Sequence, residues 1–477
     1  MKPVYEQYYS NATTKDLRFD IYGYSPPSKL DIGIDGGLVL QTGLEFRTVE
    51  RYKEYKDAGF NVLLMQSSGK YQGEAWETSD CKLVMDRAHQ AGIDKIIVLD
   101  ERLMQLSNAG DGLVGEGKQF DNQQALESYV AECLSAYSAH PAFYGIQLKD
   151  EPEYTYFTAI GQVYRAIKKA KPEAFIQCNL LPYVGMGICN KAYPNMDDGG
   201  DMQARYVDYL EAFLDATGAD YIMYDQYPFQ TDKGYGTVFN QMYFCCLQIA
   251  ASVCKKRGVE LHFVLQAFSM YVNGEQSHRL PDEDETFYQM HAALGFGVKE
   301  LSYFTYWTKS AMYLRGESFP DGGAMMTRKG EKTPMYGYVQ KVNAMAQKLA
   351  PVLMNFAYVA DRYVFTMPFR THPFHLYHTH RGILKNVVKA NVNQEVALIN
   401  ELYDKEREQY LYKIQNITYN YYEKQIGLPK QKITVAFAPE FSKIDVFDEN
   451  EWKTVELKDG EYSVELAAGH AVYVLPY

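Results

Sequence analysis

The sequence predicts an α/β fold: a (β/α)8 TIM barrel followed by a C-terminal all-β sandwich. Three observations carry that expectation. Short β-branched or aromatic runs alternate eight times with longer segments of helical period between residues 36 and 355. Four of the helix-to-strand passages share one grammar, a basic or polar helix end, a Gly, a short turn and a buried strand, as in the runs starting at Lys56, His89, Asp215 and Lys255. Beyond residue 356 the helical period fades and two-residue alternation replaces it. Eight βα units favour a closed barrel over an open doubly wound sheet.

The expected strands are Gly37–Gly43, Asn61–Gln66, Lys95–Asp100, Phe143–Asp150, Phe175–Leu181, Tyr221–Tyr227, His262–Phe268 and Leu301–Thr308. The helices between and after them are Glu45–Ala58, Asp80–Gln90, Gln123–Ala139, Thr158–Ala170, Gln203–Ala216, Val238–Lys256, Glu285–Leu294 and Met335–Ala350, each with apolar positions three and four apart. Residues 1–35 are expected as an N-terminal extension packing on the barrel, 36–355 as the catalytic barrel and 356–477 as the sandwich. In the sandwich, alternation runs from Glu395, Lys432 and Glu461, and Asp448-Glu-Asn and Lys458-Asp-Gly-Glu supply hairpin turns. The final Gly469-His-Ala-Val-Tyr-Val-Leu-Pro-Tyr reads as an edge strand closed by its Pro.

With 48 basic against 60 acidic residues the net charge is −12, which disfavours nucleic acid and anionic membranes as partners. Seven cysteines without a C-x-x-C pair argue against a disulfide framework or thiolate zinc site, and fit a reduced compartment. No apolar run approaches a membrane span and the N-terminus lacks a signal-peptide core, so the chain reads as cytoplasmic; the other reading is a secreted protein whose signal peptide has been removed. His372, His375, His378 and His380 cluster in the expected sandwich, away from the carboxylates, and no H-x-x-x-H or H-E-x-x-H occurs, so neither metal nor cofactor is expected.

In a barrel the strand ends converge on one face, and the chemistry belongs there. Those ends carry Gln41, Gln66, Asp100 with Glu101, Asp150 with Glu151, Asn179, Tyr224 with Asp225 and Tyr227, Gln266, and Tyr306 with Trp307. Carboxylates, amides and aromatic faces suit a polyhydroxylated ligand, so the expected partner is a carbohydrate. Lys149-Asp-Glu-Pro is the most informative stretch, since Pro152 ends the strand at a pair of adjacent carboxylates. Cleaving a glycosidic bond requires one carboxylic acid to protonate the leaving oxygen and a second carboxylate to act on the anomeric carbon or on water. Glu151 is the expected acid and Asp225 the second carboxylate, with Asp150, Gln41, Gln66, Asp100, Asn179, Tyr227, Gln266, Tyr306 and Trp307 as substrate contacts. Against these stand structural roles: the Asp-Glu pair could hold loop amides or pair with Lys149, and Asp225 could orient a hydroxyl. Glu285, Glu317 and Asp321 are reserves.

Lys149-Asp-Glu-Pro, Tyr224-Asp-Gln-Tyr-Pro, Leu265-Gln-Ala-Phe and the block from Glu285 to Trp307 resemble the clan A glycoside hydrolases, especially barrel proteins similar to family 42 β-galactosidases, over roughly residues 36 to 355. The resemblance implies a retaining glycosidase with a Glu acid/base ending the fourth strand, a Glu nucleophile ending the seventh and a Trp lining the sugar subsite after the eighth. Glu151 and Trp307 match. Two positions depart: Asp150 stands where the family has Asn, so it accepts where an amide can donate, and Gln266 stands where the nucleophile belongs. Asp225 then serves as nucleophile or as the base that activates water, and its distance from Glu151 decides between retention and inversion. The competing reading, supported by Gln266, is a non-catalytic carbohydrate-binding protein on a degenerate glycosidase barrel; a lyase or epimerase is a third. Exposed sandwich strands leave room for a homo-oligomer.

Overall fold

The computed structural model describes residues 3–11, 17–30, 33–35, 38–40, 44–183, 201–232, 236–309, 316–366, 382–419 and 430–477. Eight parallel strands form the barrel: β1 Asp20–Gly23, β2 Leu63–Leu64, β3 Ile96–Val98, β4 Phe143–Asp150, β5 Phe175–Asn179, β6 Tyr221–Asp225, β7 Glu260–Gln266 and β8 Val298–Phe304. β2 to β5 pair in sequence order, and β1 pairs with β8, β8 with β7 and β7 with β6. Both seams between these halves are bonded. Leu180 N–H donates to the Met223 carbonyl at 2.8 Å, and Asn61 and Val62 N–H donate to the Ile21 carbonyl at 3.1 and 3.2 Å. The ring therefore runs β1 to β8 in chain order.

The first strand corrects the expectation. Gly37–Gly43 is not the opening barrel strand: Leu38–Leu40 pairs antiparallel with Gly33–Asp35 across Gly36-Gly37, a sequence suited to a two-residue hairpin. Barrel strand β1 instead comes from the stretch expected as an extension. Its residues Ile21 and Tyr22 are fully buried, one toward the helices and one toward the lumen, which is how a parallel strand covered on both faces should look. Residues 4–9 also do more than cover the barrel. Val4 N–H donates to Asp445 at 2.5 Å, the Tyr8 hydroxyl to Asp404 at 3.1 Å, and Tyr5 stacks on Trp452 at 5.5 Å, so this segment also binds the C-terminal sheets.

Eight helices follow the eight strands: Val49–Asp57, Asp80–Gln90, Gln123–Ser135, Phe157–Ala170, Met202–Thr217, Tyr243–Arg257, Glu283–Gly295 and Pro334–Leu353. Local chemistry sets their ends. Ser79 and Asn122 accept from backbone N–H groups of the first turns they open, and Asp282 with Glu285 forms a reciprocal capping box. Gly218 and Gly258 end their helices at φ 70° and 68°, the left-handed turn their sequence grammar anticipates. The helix expected from Val238 starts at Tyr243, because Gly236–Phe239 pairs with Phe229–Asp232 in an extra antiparallel sheet. That five-stranded sheet also takes Glu275–His278, Met270–Val272 and Glu317–Ser318, all from segments that follow β6, β7 and β8.

Inside the ring, Tyr22, Tyr24, Val62, Leu64, Ile97, Tyr221, Met223 and Val264 form one buried cluster, so the barrel is a packed core and not a pore. The C-terminal region stacks a six-stranded sheet on a three-stranded one, Val387–Val392, Gln431–Phe437 and Glu461–Leu466. Ile399, Ile414 and Val472 from the first meet Ile433 and Val435 from the second. The final strand Ala471–Pro476 is not an edge: it lies between Gln409–Asn416 and Lys443–Phe447. Pro476 is tolerated there because, as the strand's last residue, it forfeits only its own donor, while its carbonyl accepts from Gln409 Nε2 at 2.9 Å.

Candidate active site

The C-terminal ends of β4, β5 and β6 bring three side chains into one chain of hydrogen bonds. Successive inward positions, period two along each strand, place Gln177 and Asn179 on β5 and Met223 and Asp225 on β6 toward the lumen. Asp150 and Asn179 are register partners at the ends of β4 and β5. Asn179 Nδ2 donates to Asp150 Oδ1 at 3.0 Å and to Asp225 Oδ1 at 3.0 Å. The two N–H bonds of a primary amide diverge at the trigonal angle, so the accepting oxygens are about 5 Å apart.

Glu151 follows directly. It turns out of the strand at φ 45°, a left-handed conformation that a non-glycine residue adopts at a cost and that clusters at functional sites. Its neighbours hold it there: Glu151 N–H donates to the Asn179 carbonyl at 2.7 Å, and the Pro152 carbonyl accepts from the Tyr209 hydroxyl at 2.6 Å. The Glu151 side chain is exposed. Lys149 donates to Asn108 and lies over the Tyr156 ring at 5.1 Å.

Electrostatics set these carboxylates apart. Burial pushes Asp225 up to about 7, and the charge of Asp150 adds to the rise, while bonds from Asn179 and the Tyr227 hydroxyl pull it down. Asp150 keeps open surface at the lip, yet the surrounding walls desolvate it enough to raise its carboxyl, against Asn179, Lys309 and Lys149. The Tyr227 hydroxyl is raised well above the phenol range by burial first, then by Asp225, Tyr24, Glu151 and Asp150. The charges of all three carboxylates therefore act on that hydroxyl.

Aromatic rings flank them. Tyr227 meets Phe268 edge-on at 4.8 Å and Phe304 at 5.9 Å, and His278 stands perpendicular to Tyr227 at 6.0 Å. The Lys309 ammonium lies 4.3 Å from the Phe304 ring centre. Phe304 and Tyr24 were not anticipated. Tyr24 follows a strand that the sequence pattern did not single out, and Phe304 ends β8 four residues earlier than the expected Thr308. The inward alternation of Glu300, Ser302 and Phe304 is the signal that identifies it.

Several expected contacts are not at this site. Gln266 is fully buried: its Oε1 accepts from Phe229 N–H at 2.9 Å, and its Nε2 donates to the carbonyls of Phe229 at 3.0 Å and Arg279 at 2.9 Å. It braces the segments after β6 and β7, and no face of it is open to a sugar. Tyr306 packs against Tyr55 at 4.9 Å and Phe60 at 5.7 Å, and Trp307, 2% exposed, against Phe46 at 4.6 Å; both are core rings, because β8 ends before them. Asp100 caps the helix Glu101–Leu106 and holds Arg102 at 2.7 Å and the Tyr137 hydroxyl at 3.0 Å with no exposed surface. Gln66 accepts from Ser25 N–H at 2.7 Å, supporting the end of β1. Glu285 is buried in its capping box and paired with Arg279, and Asp321 accepts from Arg328 N–H at 2.7 Å. Gln41 and the histidines 372, 375, 378 and 380 lie outside the described residues. Among the described residues no group of His, Cys, Asp or Glu is arranged to hold a metal ion, and no helix is long and apolar enough to cross a membrane.

No protein-family model and no curated protein matches the sequence. Solved structures do. A protein described as a glycoside hydrolase superposes with a TM-score of 0.51 at 8% identity, over 96% of this chain and 92% of that one. A glycoside hydrolase family 5 protein from Bacteroides vulgatus gives 0.49 at 10% identity, covering 96% and 88%, and an Anoxybacillus α-amylase gives 0.48 at 13%, covering 96% of each. At such identities the first of these establishes a shared fold. The chain is thus a (β/α)8 barrel joined to a β-sandwich.

Proposed function

We propose that the protein is a glycoside hydrolase acting on a small oligosaccharide or glycoside. Glu151, at the open lip, protonates the leaving oxygen, and Asp225 with Asp150 supplies the negative charge opposite the anomeric carbon. The observation that carries this reading is the grouping of Asp150 and Asp225 on one amide, each 3.0 Å from Asn179 Nδ2, with Glu151 bonded through its N–H to the Asn179 carbonyl at 2.7 Å, at the C-terminal mouth of the barrel. Tyr227 and Phe304 offer partly exposed ring faces for the C–H side of a sugar. The fold shared with a glycoside hydrolase adds support and fixes neither substrate nor linkage.

A second reading, a carbohydrate-binding protein without turnover, is favoured by Gln266: the seventh strand contributes a buried brace where a carboxylate would be needed. One experiment separates them. The protein is incubated with a panel of glycosides while released reducing sugar and thermal shifts are followed together. Sugar release from at least one member is the expected result; a thermal shift without release from any of them supports the binding protein.

A further inference from the structure

We propose that Asp150 and Asp225, tied through the side-chain amide of Asn179, behave as one acid that keeps a single proton between them, and that Asn179 is the positioning residue of this pair and not a contact for sugar hydroxyls. The consequence for turnover rests on the hydrolase reading above; the shared proton does not.

The geometry of the amide is the starting point. A primary amide has two N–H donors, and in Asn179 both are directed at carboxylates, each at 3.0 Å. No donor is left for a ligand. Its remaining polar atom, Oδ1, is buried without a partner and cannot reach one in the open mouth. One neutral amide therefore faces two acids about 5 Å apart. Asp225 is 4% exposed, so a second full negative charge there would be poorly solvated.

The groups around the pair point the same way. Tyr24 from the end of β1 and Tyr227 from the segment after β6 present phenols, and the charge of Glu151 acts on the Tyr227 hydroxyl as well. The cations are Lys149 on β4 and Lys309 after β8, and both bear on Asp150. Asp150 is thus the anion of the pair and Asp225 the proton carrier, in agreement with a carboxyl pushed up to about 7. Such a pair changes charge near neutrality, so a rate that depends on it bends there.

The test is a carboxyl-carbon NMR titration of the whole protein labelled at aspartate. One aspartate carboxyl is expected to titrate near neutrality with a two-step curve. Asp225→Asn removes that signal. Asp150→Asn lowers its midpoint by about one pH unit or more and makes it single-step. Asn179→Ala raises it, because both anions lose a donor. Should Asn179→Ala fail to fold, as seen by circular dichroism, the two aspartate variants decide the matter. A wild-type protein with no aspartate carboxyl titrating above pH 5, or an upper midpoint that Asp150→Asn leaves unmoved, overturns the proposal. On any glycoside that is cleaved, the corresponding limb of kcat/KM moves in the same directions. Failure to cleave every glycoside removes the hydrolase reading while the titration stands.

Discussion

The two ends of the barrel handle buried charge in opposite ways. At the N-terminal end, His262 on β7 lies 3.3 Å from Glu260 and 3.3 Å from Glu300, and stacks on Tyr221 at 4.6 Å. Burial alone would lower this imidazole, yet Glu300 and Glu260 raise it to about 10. Beside it, Asp20 is bonded by Lys95 at 2.7 Å and by the Tyr144 hydroxyl at 2.7 Å. Asp20, Glu260 and Glu300 each have a cation. At the C-terminal end, Asp150, Glu151 and Asp225 are gathered around an amide and phenols, and Asp225 has no ion pair among the described contacts. Removing one partner of a buried ion pair is costly, whereas a carboxyl held without a cation, as Asp225 is, has its proton affinity raised. On the proposed reading, stability belongs to one end and reactivity to the other, as in barrels generally.

The largest effect that separates the ends is on turnover. Glu151→Gln is expected to lower kcat on a cleaved glycoside by about 10²–10⁴-fold with an unchanged circular dichroism spectrum. A variant that retains full activity removes Glu151 from the mechanism. At the other end, His262→Ala leaves Glu260 and buried Glu300 without their cation and should cost about 3–5 kcal/mol in denaturant unfolding at pH 7. Because His262 is raised from 6.5 to about 10, its stabilising contribution is complete below about pH 6.5 and is lost as the pH climbs through 10. Equal stability of variant and wild type at pH 7 would contradict the comparison.

A smaller effect has the opposite sign. Asp225 is raised from 3.8 to about 7, so between those values the native state binds more protons than the unfolded chain and stability falls as pH rises. Asp225→Asn should therefore unfold at higher denaturant than wild type at pH 8, by a few kcal/mol at most. The gain should shrink toward pH 4. The smallest effect lies at the barrel–sandwich junction, where Glu449 meets His470 at 2.8 Å and His291 at 3.3 Å, and His470 also meets Asp284 at 3.2 Å. His470, raised to about 9 against its own burial, should contribute about 3 kcal/mol at most, complete below about pH 6.5 and lost through pH 9; comparing His470→Asn with wild type at pH 6 and 10 measures it.

Much of this was legible in the sequence, for definite reasons. Seven barrel strands were read near their observed places because buried parallel strands are continuous apolar runs, and glycine endings such as Gly218 and Gly258 mark the helices before them. β1 escaped because four residues, Asp-Ile-Tyr-Gly, carry little signal beside the longer run Gly37–Gly43. Asp150, Asn179 and Asp225 stand together because each ends a strand, a position the apolar runs mark, and Glu151 directly follows one. Gln266 also ends a strand, but its amide turns to the backbone of Phe229, a three-dimensional contact that no sequence pattern marks. Trp307 was misplaced by where β8 stops, a boundary that pattern alone fixes poorly.

The most direct measurement compares Glu151→Gln with wild type on two substrates of one sugar, an aryl glycoside whose leaving group needs no protonation and a glycoside with a poor alcohol leaving group. An acid at the lip implies a large loss of kcat/KM on the poor leaving group and a much smaller one on the activated aryl glycoside. Equal losses on both, or none on either, contradict that role for Glu151.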